Sequence, residues 1–352
     1  MHIFYSSSYD ASVYLQQPEQ NAGRDEILEV GKLYYGSTKD IARTFIKFDV
    51  SNIETGSGWK AYLNLKSANS EEIPLQYTIH ANAVSQSWAM GTGTKFDNIT
   101  SNGVSWKYRD GINSWQDNTV GGTAYYVAGT TGSANAEGGT WYTAGEASQS
   151  FNNEPDDVRM DVTNIVNMWV SGSLPNNGLV IHHSLDTEND SLDYGLLKFF
   201  SKETNTIYEP KLEIVWDDVS FLTGSLSPVT GSAEEGYKVV LTNLKNEYPS
   251  NSKVKIRVKG RDMYPLKSFG TTFAYDQSKY ITNMYYQLED YITGEIIFPF
   301  GDYTKVSCDS TSNYFIMNLN TLSKNRTYKL KLKIVESGIS TIIDEKLIFE
   351  IV

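Results

Sequence analysis

The sequence contains a single cysteine, Cys308, among its 352 residues. An internal disulfide needs two cysteines, so no disulfide framework holds this chain together. Cys308 lies in a stretch rich in serine and threonine, which predicts a small residue in a turn. No cysteine and histidine are spaced as a thiol nucleophile and its base, and we expect no catalytic role for this thiol.

Positive charge is also in short supply. Lys and Arg together number 30 against 42 Asp and Glu, which gives a formal net charge of −12. A field of that sign repels the phosphates of nucleic acids and the headgroups of anionic membranes. The composition therefore predicts that neither nucleic acid nor membrane is a partner.

Long apolar runs are missing as well. The chain has no stretch of about 18 apolar residues that could span a bilayer. Met1 is not followed by the charged and then apolar segments that direct secretion. We expect a protein that is made in a cytoplasm.

Aromatic residues and glycine are abundant, and they indicate the fold class. The chain has 24 Tyr, 7 Trp and 27 Gly, while the helical period is almost absent, and aromatic rings pack well on pleated sheets. Apolar and polar residues alternate over residues 43–50, 61–66 and 75–81, as they do in half-buried strands. We predict an all-β protein that begins with a β-sandwich.

One short helix is predicted in this β-rich chain, at the start of the segment 161–181. Its apolar residues recur at the spacing that places them on one helical face. Asp161 or Thr163 can cap its start, and Gly172 and Pro175 end it. We interpret the helix as core packing that closes one end of the sandwich. The apolar face consists of Val162, Ile165, Val166, Trp169 and Val170, with Trp169, Ile165 and Val166 as its structural core.

Residues 85–153 break the alternation and are rich in Gly, Ser, Thr and Asn. A structureless loop of that length is unusual in a compact domain, so we predict a long ordered insertion that its tryptophans hold against the sandwich. Long connections also carry binding sites. Exposed indole rings here would stack on sugar rings, and this glycan-binding hypothesis rests on Trp88, Trp106, Trp115 and Trp141.

The composition changes after the last tryptophan, Trp216. An acidic pair and a turn-rich segment follow it, which predicts a boundary between a first domain of residues 1–217 and a second of residues 218–352. In the second domain, KVKIRVK (253–259) and YKLKLKI (328–334) alternate without a fault. We predict a smaller, immunoglobulin-like β-sandwich there.

The C-terminal segment 347–352 is apolar on both faces. Leu347, Phe349 and Ile351 point one way, and Ile348 and Val352 point the other way, with Glu350 as the only polar residue. Only one face of a strand meets the core of a small sandwich, and an uncovered apolar strand favours aggregation. We therefore predict that Ile348 and Val352 form an interface with the first domain or with a neighbouring subunit.

No residues predict a metal or cofactor site. His182 and His183 are neighbours on a predicted strand, so their side chains point to opposite faces and cannot bind one ion. The acidic segment 186–193 offers carboxylates for calcium but lacks the glycine and the terminal glutamate of an EF-hand. A solvated hairpin loop is the preferred interpretation, and calcium binding stays open.

Enzyme activity has little support in the sequence. Glycoside cleavage needs two carboxylates that face each other across a cleft, and nothing marks the carboxylates near the insertion as buried or paired. A nucleophile elbow and a phosphate-binding loop are both missing. We predict that the protein is not an enzyme. The carboxylates in question are Asp97, Asp110, Asp117, Asp156 and Asp157.

The first 217 residues resemble the disaggregatase-related (DNRLRE) family of β-sandwich domains. The matching segments follow one another over most of that domain, and the resemblance implies a jelly-roll fold. SWAMGTG and the insertion after it are most similar to the versions of the family found in phages. The segments are DASVYLQ (10–16), ARTFIKFDVSNI (42–53), SWAMGTG (87–93), DVTNIVNMWVSGSLPNNGLVI (161–181), FFSKE (199–203) and PKLEIVW (210–216).

The C-terminal region is similar to a module that accompanies this domain in virion proteins of marine tailed phages. The similarity lies in IIFPFGDYTKVSCDSTSNYFIMNL (296–319), followed by YKLKLKIV. Members of the family occur as carbohydrate-binding modules of bacterial surface proteins and as structural proteins of phage particles. Carbohydrate-binding modules usually accompany an enzyme domain, and this sequence contains none, which favours the structural role.

The resemblance thus implies a structural component of a tailed phage particle, in its collar, neck, tail or fibre. Such a protein is assembled in the host cytoplasm and resides in the virion. Its expected partners are other virion proteins, and it is expected to be a homo-oligomer or to be present in many copies. A carbohydrate-binding module or adhesin is the alternative function.

Overall fold

The computed structural model describes residues 1–70, 74, 76–115, 125–127, 137–152, 157–229, 237–264, 278–336 and 338–352. Nearly all regular structure in these residues is β-strand in large antiparallel sheets, which confirms the predicted all-β sandwich class. None of the helices in this part of the chain is long and apolar enough to span a membrane.

The chain divides into two compact units. The N-terminal unit consists of Phe4–Glu54 and Lys60–Ile214, and the C-terminal unit consists of Met1–Ile3, Thr55–Trp59 and Val215–Val352. The sequence predicts that residues 1–217 and residues 218–352 are separate domains, and this boundary stays a prediction.

The N-terminal unit is built on one ten-stranded sheet. The strands follow the order β8-β5-β10-β3-β1-β12-β4-β9, and β2 joins β3 to β11. The two end strands, β8 and β9, lie next to each other, so the sheet nearly closes on itself. A separate pair, β6 and β7, lies in the insertion. The elements are β1 (His2–Tyr14), β2 (Ile27–Tyr35), β3 (Thr38–Phe48), β4 (Lys60–Leu65), β5 (Gln76–Ala83), β6 (Tyr125–Val127), β7 (Thr140–Tyr142), β8 (Ala147–Asn152), β9 (Val158–Asp161), α1 (Thr163–Val170), β10 (Leu179–His183), α2 (Leu185–Asn189), β11 (Gly195–Phe200) and β12 (Lys211–Val215).

Strand β3 is central in this sheet, and both of its faces are buried. It pairs with β1, β2 and β10. Thr44 and Ile46 are buried on one face, and Arg43 and Phe45 are buried on the other. The predicted half-buried strand is wrong at this position, because tryptophans of the insertion pack against Phe45 and cover the second face.

Helix α1 buries Ile165, Val166 and Trp169. Val170, which the spacing places on the same face, is 46% exposed. The carboxylate of Asp161 accepts the backbone N–H of Thr163 at 3.0 Å, which satisfies one of the free donors at the start of the helix.

A second short helix, α2, stands where the sequence predicts a hairpin loop, so the domain has more than the one helix expected. The hydroxyl of Ser184 accepts the N–H of Thr187 at 3.1 Å and caps the helix. Asp186 and Glu188 lie in its first turn, where negative charge is favourable. The cap and the acidic turn are both visible in the sequence, and they are the signals that predict this turn of helix.

The C-terminal unit contains two sheets. One has the order β13-β15-β19-β18, and the other has the order β14-β21-β20-β16-β17. Two 3₁₀ turns lie at Asp302–Thr304 and Leu319–Thr321. The strands are β13 (Tyr237–Leu241), β14 (Glu247–Tyr248), β15 (Lys253–Asp262), β16 (Met284–Asp290), β17 (Ile296–Phe298), β18 (Ser307–Cys308), β19 (Asn313–Asn318), β20 (Arg326–Glu336) and β21 (Ile339–Ile351).

The core of the C-terminal unit lies between these two sheets. The ring of Tyr286 on β16 stacks on that of Phe315 on β19, with centroids 4.3 Å apart. The inward residues of β20 are buried at every second position, as the alternation predicts. The amino group of Met1 donates to the carbonyl oxygen of Trp216 and to the Asp218 carboxylate, both at 2.8 Å.

Candidate functional site

The four tryptophans proposed for glycan binding lie in the core of the N-terminal unit. Trp88, Trp106, Trp115 and Trp141 are 8%, 4%, 0% and 2% exposed. Trp115 stacks on Phe45 with ring centroids 5.2 Å apart. None of the four offers an open ring face to a sugar, so they anchor the insertion instead of forming a stacking surface.

Asn21 organises the first half of the insertion. Its side-chain N–H groups donate to the carbonyl oxygens of Met90 and Val104, each at 2.8 Å, and its Oδ1 accepts the N–H of Gly93 at 2.8 Å. One buried amide therefore holds three separate points of a loop that has no regular secondary structure.

Arg43 anchors the second half of the insertion. Its Nη1 donates to the carbonyl oxygen of Gly138 at 2.8 Å. Its guanidinium lies over the rings of Trp106 and Trp141, at 4.7 and 5.1 Å from their centroids. The same guanidinium forms a buried ion pair with Glu188 of α2.

A surface groove beside the insertion is the best candidate for ligand binding. It consists of two adjoining depressions of about 510 and 490 Å³. Both are lined by Gln16, Gln17, Lys95 and Phe96. The first also includes Pro18, Glu19, Gln20, Asp97 and Ile99, and the second also includes Glu29, Leu33, Tyr35, Asp40, Leu196 and Lys198.

Exposed rings rise from this groove. Phe96 is 88% exposed and Tyr35 is 66% exposed. Large aromatic side chains in such positions have open faces that can stack against a flat apolar surface. Next to them, Gln16 and Gln17 contribute amide groups that both donate and accept hydrogen bonds. The groove thus combines stacking with polar recognition.

Lys95 fixes the floor of the groove. Its Nζ pairs with the Glu29 carboxylate at 2.6 Å and lies 4.2 Å from the centroid of the Tyr14 ring. Its backbone N–H donates to the carboxylate of Asp25 at 3.1 Å. Burial raises the pKa of Asp25 to about 6, and burial also raises the pKa of Asp40 above its usual value.

The acidic segment 186–193 surrounds an internal cation. The ammonium of Lys32, whose side chain is fully buried, donates to the backbone oxygens of Thr187 and Asp190 at 2.7 Å and to Asp190 Oδ1 at 2.6 Å. It also lies over the rings of Tyr34 and Tyr194. These oxygens are of the kind that calcium uses, and here a lysine takes them.

The two neighbouring histidines point to opposite sides of β10, and both are buried. The Nε2 atom of His182 lies 3.0 Å from Oδ1 of Asn82, while the Nδ1 atom of His183 lies 3.2 Å from the carbonyl oxygen of Thr78. In the described part of the chain, no group of three or more His, Cys, Asp or Glu side chains is arranged to hold a metal ion.

The carboxylates considered for glycoside cleavage are engaged locally. Asp97 accepts the hydroxyl of Thr94 at 2.6 Å, Asp110 accepts the N–H of Asn113 at 2.7 Å, and Asp157 pairs with Lys66 at 2.9 Å. These three bonds stabilise turns and strand ends, and none of them joins one carboxylate to another. Asp117 and Asp156 lie outside the described residues.

The outer face of the β14-β21-β20-β16-β17 sheet is the second surface of interest. Ile348 and Val352 are 39% and 50% exposed, and Ile342 is 57% exposed. Phe349 and Ile351, which point the other way, are buried. The alternation of β21 therefore leaves these three apolar side chains exposed on one face of the C-terminal unit, where Asp344 and Glu350 lie between them.

Sequence reasoning did not find the groove. Its lining comes from β2, β3, β11 and the loops after β1 and β5, so no single segment shows it. The one local signal is Phe96, an aromatic residue among polar neighbours in TGTKFDNIT (92–100).

Comparisons with known proteins do not assign the chain to a family. No protein-family model matches the chain, and no curated protein is significantly similar to it. The resemblance to the disaggregatase-related family stays a prediction.

Proposed function

We propose that this protein is a non-catalytic structural component of a tailed phage particle, in the collar, neck, tail or fibre. It acts through contacts with other virion proteins and is present in several copies. The observation that carries the proposal is the outer face of the β14-β21-β20-β16-β17 sheet, where Ile342 and Ile348 of β21 and the following Val352 are exposed. The sequence resemblance to virion proteins is the reason for proposing a phage particle as the assembly.

The charges on this face support a protein contact. Lys329 pairs with Asp344 at 2.6 Å, and Lys331 pairs with Glu289 at 2.7 Å. Two of the three lysines of β20 are therefore paired with carboxylates of the same sheet, and the third, Lys333, lies over the rings of Tyr285 and Phe300. A partner that docks there meets exposed isoleucine and valine side chains beside lysines that are mostly paired already.

The double variant Ile348→Lys/Val352→Lys tests this proposal. Both side chains are exposed, so we expect the variant to fold with an unchanged free energy of unfolding. It should be depleted at least tenfold from purified phage particles, as measured by peptide mass spectrometry with isotope-labelled standards. Sedimentation velocity should show weaker self-association of the purified variant.

Val240→Lys is the matched control, because Val240 is 48% exposed on β13 of the other sheet. This variant should enter particles at the wild-type level. Wild-type incorporation of the double variant would overturn the proposed contact face. Absence of the wild-type chain from purified particles would overturn the structural role.

A second candidate function is saccharide recognition in the groove beside the insertion. The observation in its favour is the pair of exposed rings, Phe96 and Tyr35, among the amides of Gln16 and Gln17. In this form, the glycan hypothesis rests on different residues from the four buried tryptophans. A module of this kind would act as an adhesin.

A glycan array followed by calorimetry tests this candidate. We expect Phe96→Ala to weaken binding of any captured oligosaccharide at least tenfold, since the stacking face is lost. Ile112→Ala is the control, because Ile112 is 82% exposed in the insertion but does not line the groove. Equal loss in both variants, or no captured saccharide, would refute the groove as a glycan site.

A further inference from the structure

The outer face of the β13-β15-β19-β18 sheet carries a row of cations. On β15, every second residue from 253 to 261 is Lys or Arg and points away from the core, in which Ile256 and Val258 are buried. Successive members of such a row stand roughly 7 Å apart. Lys238 extends the row onto β13, where it lies opposite Arg261. The cations of this face are Lys238, Lys253, Lys255, Arg257, Lys259 and Arg261.

The carboxylates beside this row do not match it in number. Asp309 is shared by two of the cations, since its carboxylate lies 2.8 Å from Nζ of Lys255 and 2.9 Å from Nη2 of Arg257. Lys238 and Lys259 are both exposed, and no carboxylate of the residues that the structure describes pairs with either of them. The face therefore carries positive charge that an outside anion can neutralise.

The two units of the chain differ in charge. The N-terminal unit contains 26 Asp and Glu against 14 Lys and Arg, a net charge of −12, whereas the C-terminal unit contains 16 of each kind. The whole negative excess of the chain therefore belongs to the N-terminal unit, and the cationic face belongs to the unit that has no excess. Each copy of the protein thus carries both members of a complementary pair of surfaces.

We propose that the cationic face of one copy docks on the acidic N-terminal unit of a second copy. Opposite potentials on two protein surfaces steer their encounter and determine which surfaces meet. Because the two surfaces are unlike, a bound pair keeps one surface of each kind open, and further copies can add head to tail. This contact goes beyond the proposed function: it uses a different face from that of Ile348 and Val352, and it does not require a phage particle.

The charge of the whole chain and the apolar part of this face favour a second copy over a nucleic acid. A net charge of −12 repels a long polyanion, most of which would extend past the face. The face also has apolar side chains, which a phosphate backbone cannot use. Val240 is 48% exposed beside Lys259, and Nζ of Lys255 lies 3.6 Å from the centroid of the Tyr314 ring. Protein interfaces combine apolar and polar groups in this way.

Sedimentation velocity of the full chain at two salt concentrations tests the contact. All chains carry Ile348→Lys/Val352→Lys, so that the contact face of the proposed function does not contribute. Charges are screened over about 10 Å at 0.1 M salt and over about 3 Å at 1 M. The lower concentration weakens repulsion between distant like charges and keeps the attraction across a contact. We expect the association constant of this reference chain to fall at least tenfold at 1 M salt.

Charge reversal on the face should weaken the contact at 0.1 M salt. Lys238→Glu/Lys259→Glu should lower the association constant at least tenfold, and it should fold, because the new carboxylate at position 238 faces Arg261 across the sheet. Lys245→Glu/Lys324→Glu is the matched control: it changes the net charge equally, and both lysines are exposed in loops outside this sheet. It should associate like the reference chain. Val240→Lys keeps the sign of the face and should associate at least as tightly.

A mixture of ¹⁴N-labelled and ¹⁵N-labelled copies identifies the acidic surface. A carbodiimide joins a lysine directly to a carboxylate that touches it, and a cross-link between a light and a heavy peptide joins two copies. We expect such cross-links between Lys238 or Lys259 and carboxylates within 4–54 or 60–214. The Lys238→Glu/Lys259→Glu chain keeps its acidic unit, so it should still bind the reference chain, although it no longer binds itself.

Three results would overturn the proposal: a reference chain that is monomeric at 0.1 M salt, an association that salt and Lys238→Glu/Lys259→Glu leave unchanged, or cross-links between copies that reach only the C-terminal unit. A monomeric chain that binds single-stranded DNA and loses this binding in Lys238→Glu/Lys259→Glu would assign the face to nucleic acid instead. The particle measurements with Ile348→Lys/Val352→Lys stand apart from all of these outcomes, so each proposal can fail alone.

Discussion

Arg43 and Glu188 form an ion pair that is almost closed to water, since each side chain is 2% exposed. The bond from Arg43 Nε to Glu188 Oε1 is 3.0 Å long, and Nη2 binds the second carboxylate oxygen. Burial alone raises the pKa of Glu188, but the guanidinium outweighs burial and brings that pKa below its usual range. The pair connects β3, helix α2 and the insertion.

Removal of one partner should therefore be costly. Glu188→Ala leaves a buried guanidinium without its anion, and we expect a loss of about 3–5 kcal/mol in the free energy of unfolding. Urea denaturation measures it. Asp157→Ala is the control, because Asp157 and Lys66 form an exposed pair whose loss should cost less than about 1 kcal/mol. Similar small losses in both variants would contradict a structural role for the buried pair.

The ammonium group of Lys32 should take the place that a metal ion would otherwise occupy among the oxygens of segment 186–193. Lys32→Met removes the ammonium from its three oxygen ligands and should lower the free energy of unfolding by about 3 kcal/mol. Calcium at millimolar concentration should leave the melting temperature of the wild type unchanged, because the oxygens are occupied. A rise of several degrees on addition of calcium to the wild type would show that the segment binds the ion after all.

Trp169 should be a stability residue of the N-terminal unit. Its indole is 6% exposed on the inner face of α1, so Trp169→Ala should cost about 3–5 kcal/mol and yield protease-sensitive protein. Asp186→Ala, on the first turn of α2, should stay within about 0.5 kcal/mol of the wild type. Thermal melts followed by circular dichroism compare the two. A wild-type melting temperature for Trp169→Ala would remove α1 from the core.

Ionisation of Asp10 should lower the free energy of unfolding at neutral pH relative to weak acid. Burial raises its pKa from 3.8 to about 6, and the residue is 1% exposed. The folded state therefore holds the proton more tightly. The stabilising contribution is complete below 3.8 and is lost as the pH rises through 6.

Asp10→Asn isolates this effect. The difference in unfolding free energy between variant and wild type should shift in favour of the variant by about 2 kcal/mol from pH 4 to pH 7.5. Denaturation series at several pH values measure it, and the common titration of all other groups cancels in the difference. A pH-independent difference would mean that Asp10 is not perturbed.

Local patterns in the sequence predict the strands whose outer face meets water. In β4 and β20, the inward residues Leu63, Leu65, Leu330 and Leu332 are buried as the alternation requires. The same reasoning fails in β3, because Phe45 is covered by tryptophans that lie far away in the sequence. An alternating pattern of apolar and polar residues indicates that one face of a strand is buried. It does not indicate whether a loop from elsewhere in the chain covers the second face.

The candidate sites depend on such distant packing even more. Tryptophan in a glycine-rich insertion is consistent with an exposed platform or with an anchor, and only the three-dimensional arrangement around Trp115 shows an anchor. The groove needs Gln16 and Phe96 side by side, although they are far apart in the chain. Ser184 is different, because the residues that indicate its capping role in α2 are close together in the sequence. The sequence alone is enough to predict this cap.

The Asn21 amide also limits how this protein can change over evolutionary time. A Cβ atom on Gly91 would lie 2.3 Å from Asn21 Oδ1, and one on Gly103 would lie 2.6 Å from Asn21 Nδ2. Neither glycine can mutate while the amide keeps its position, and the amide cannot mutate without releasing three loop segments. In diverging lineages, these three positions should be inherited or replaced as a set, whereas an exposed position of the intervening loop, such as Asn98, is not under this constraint.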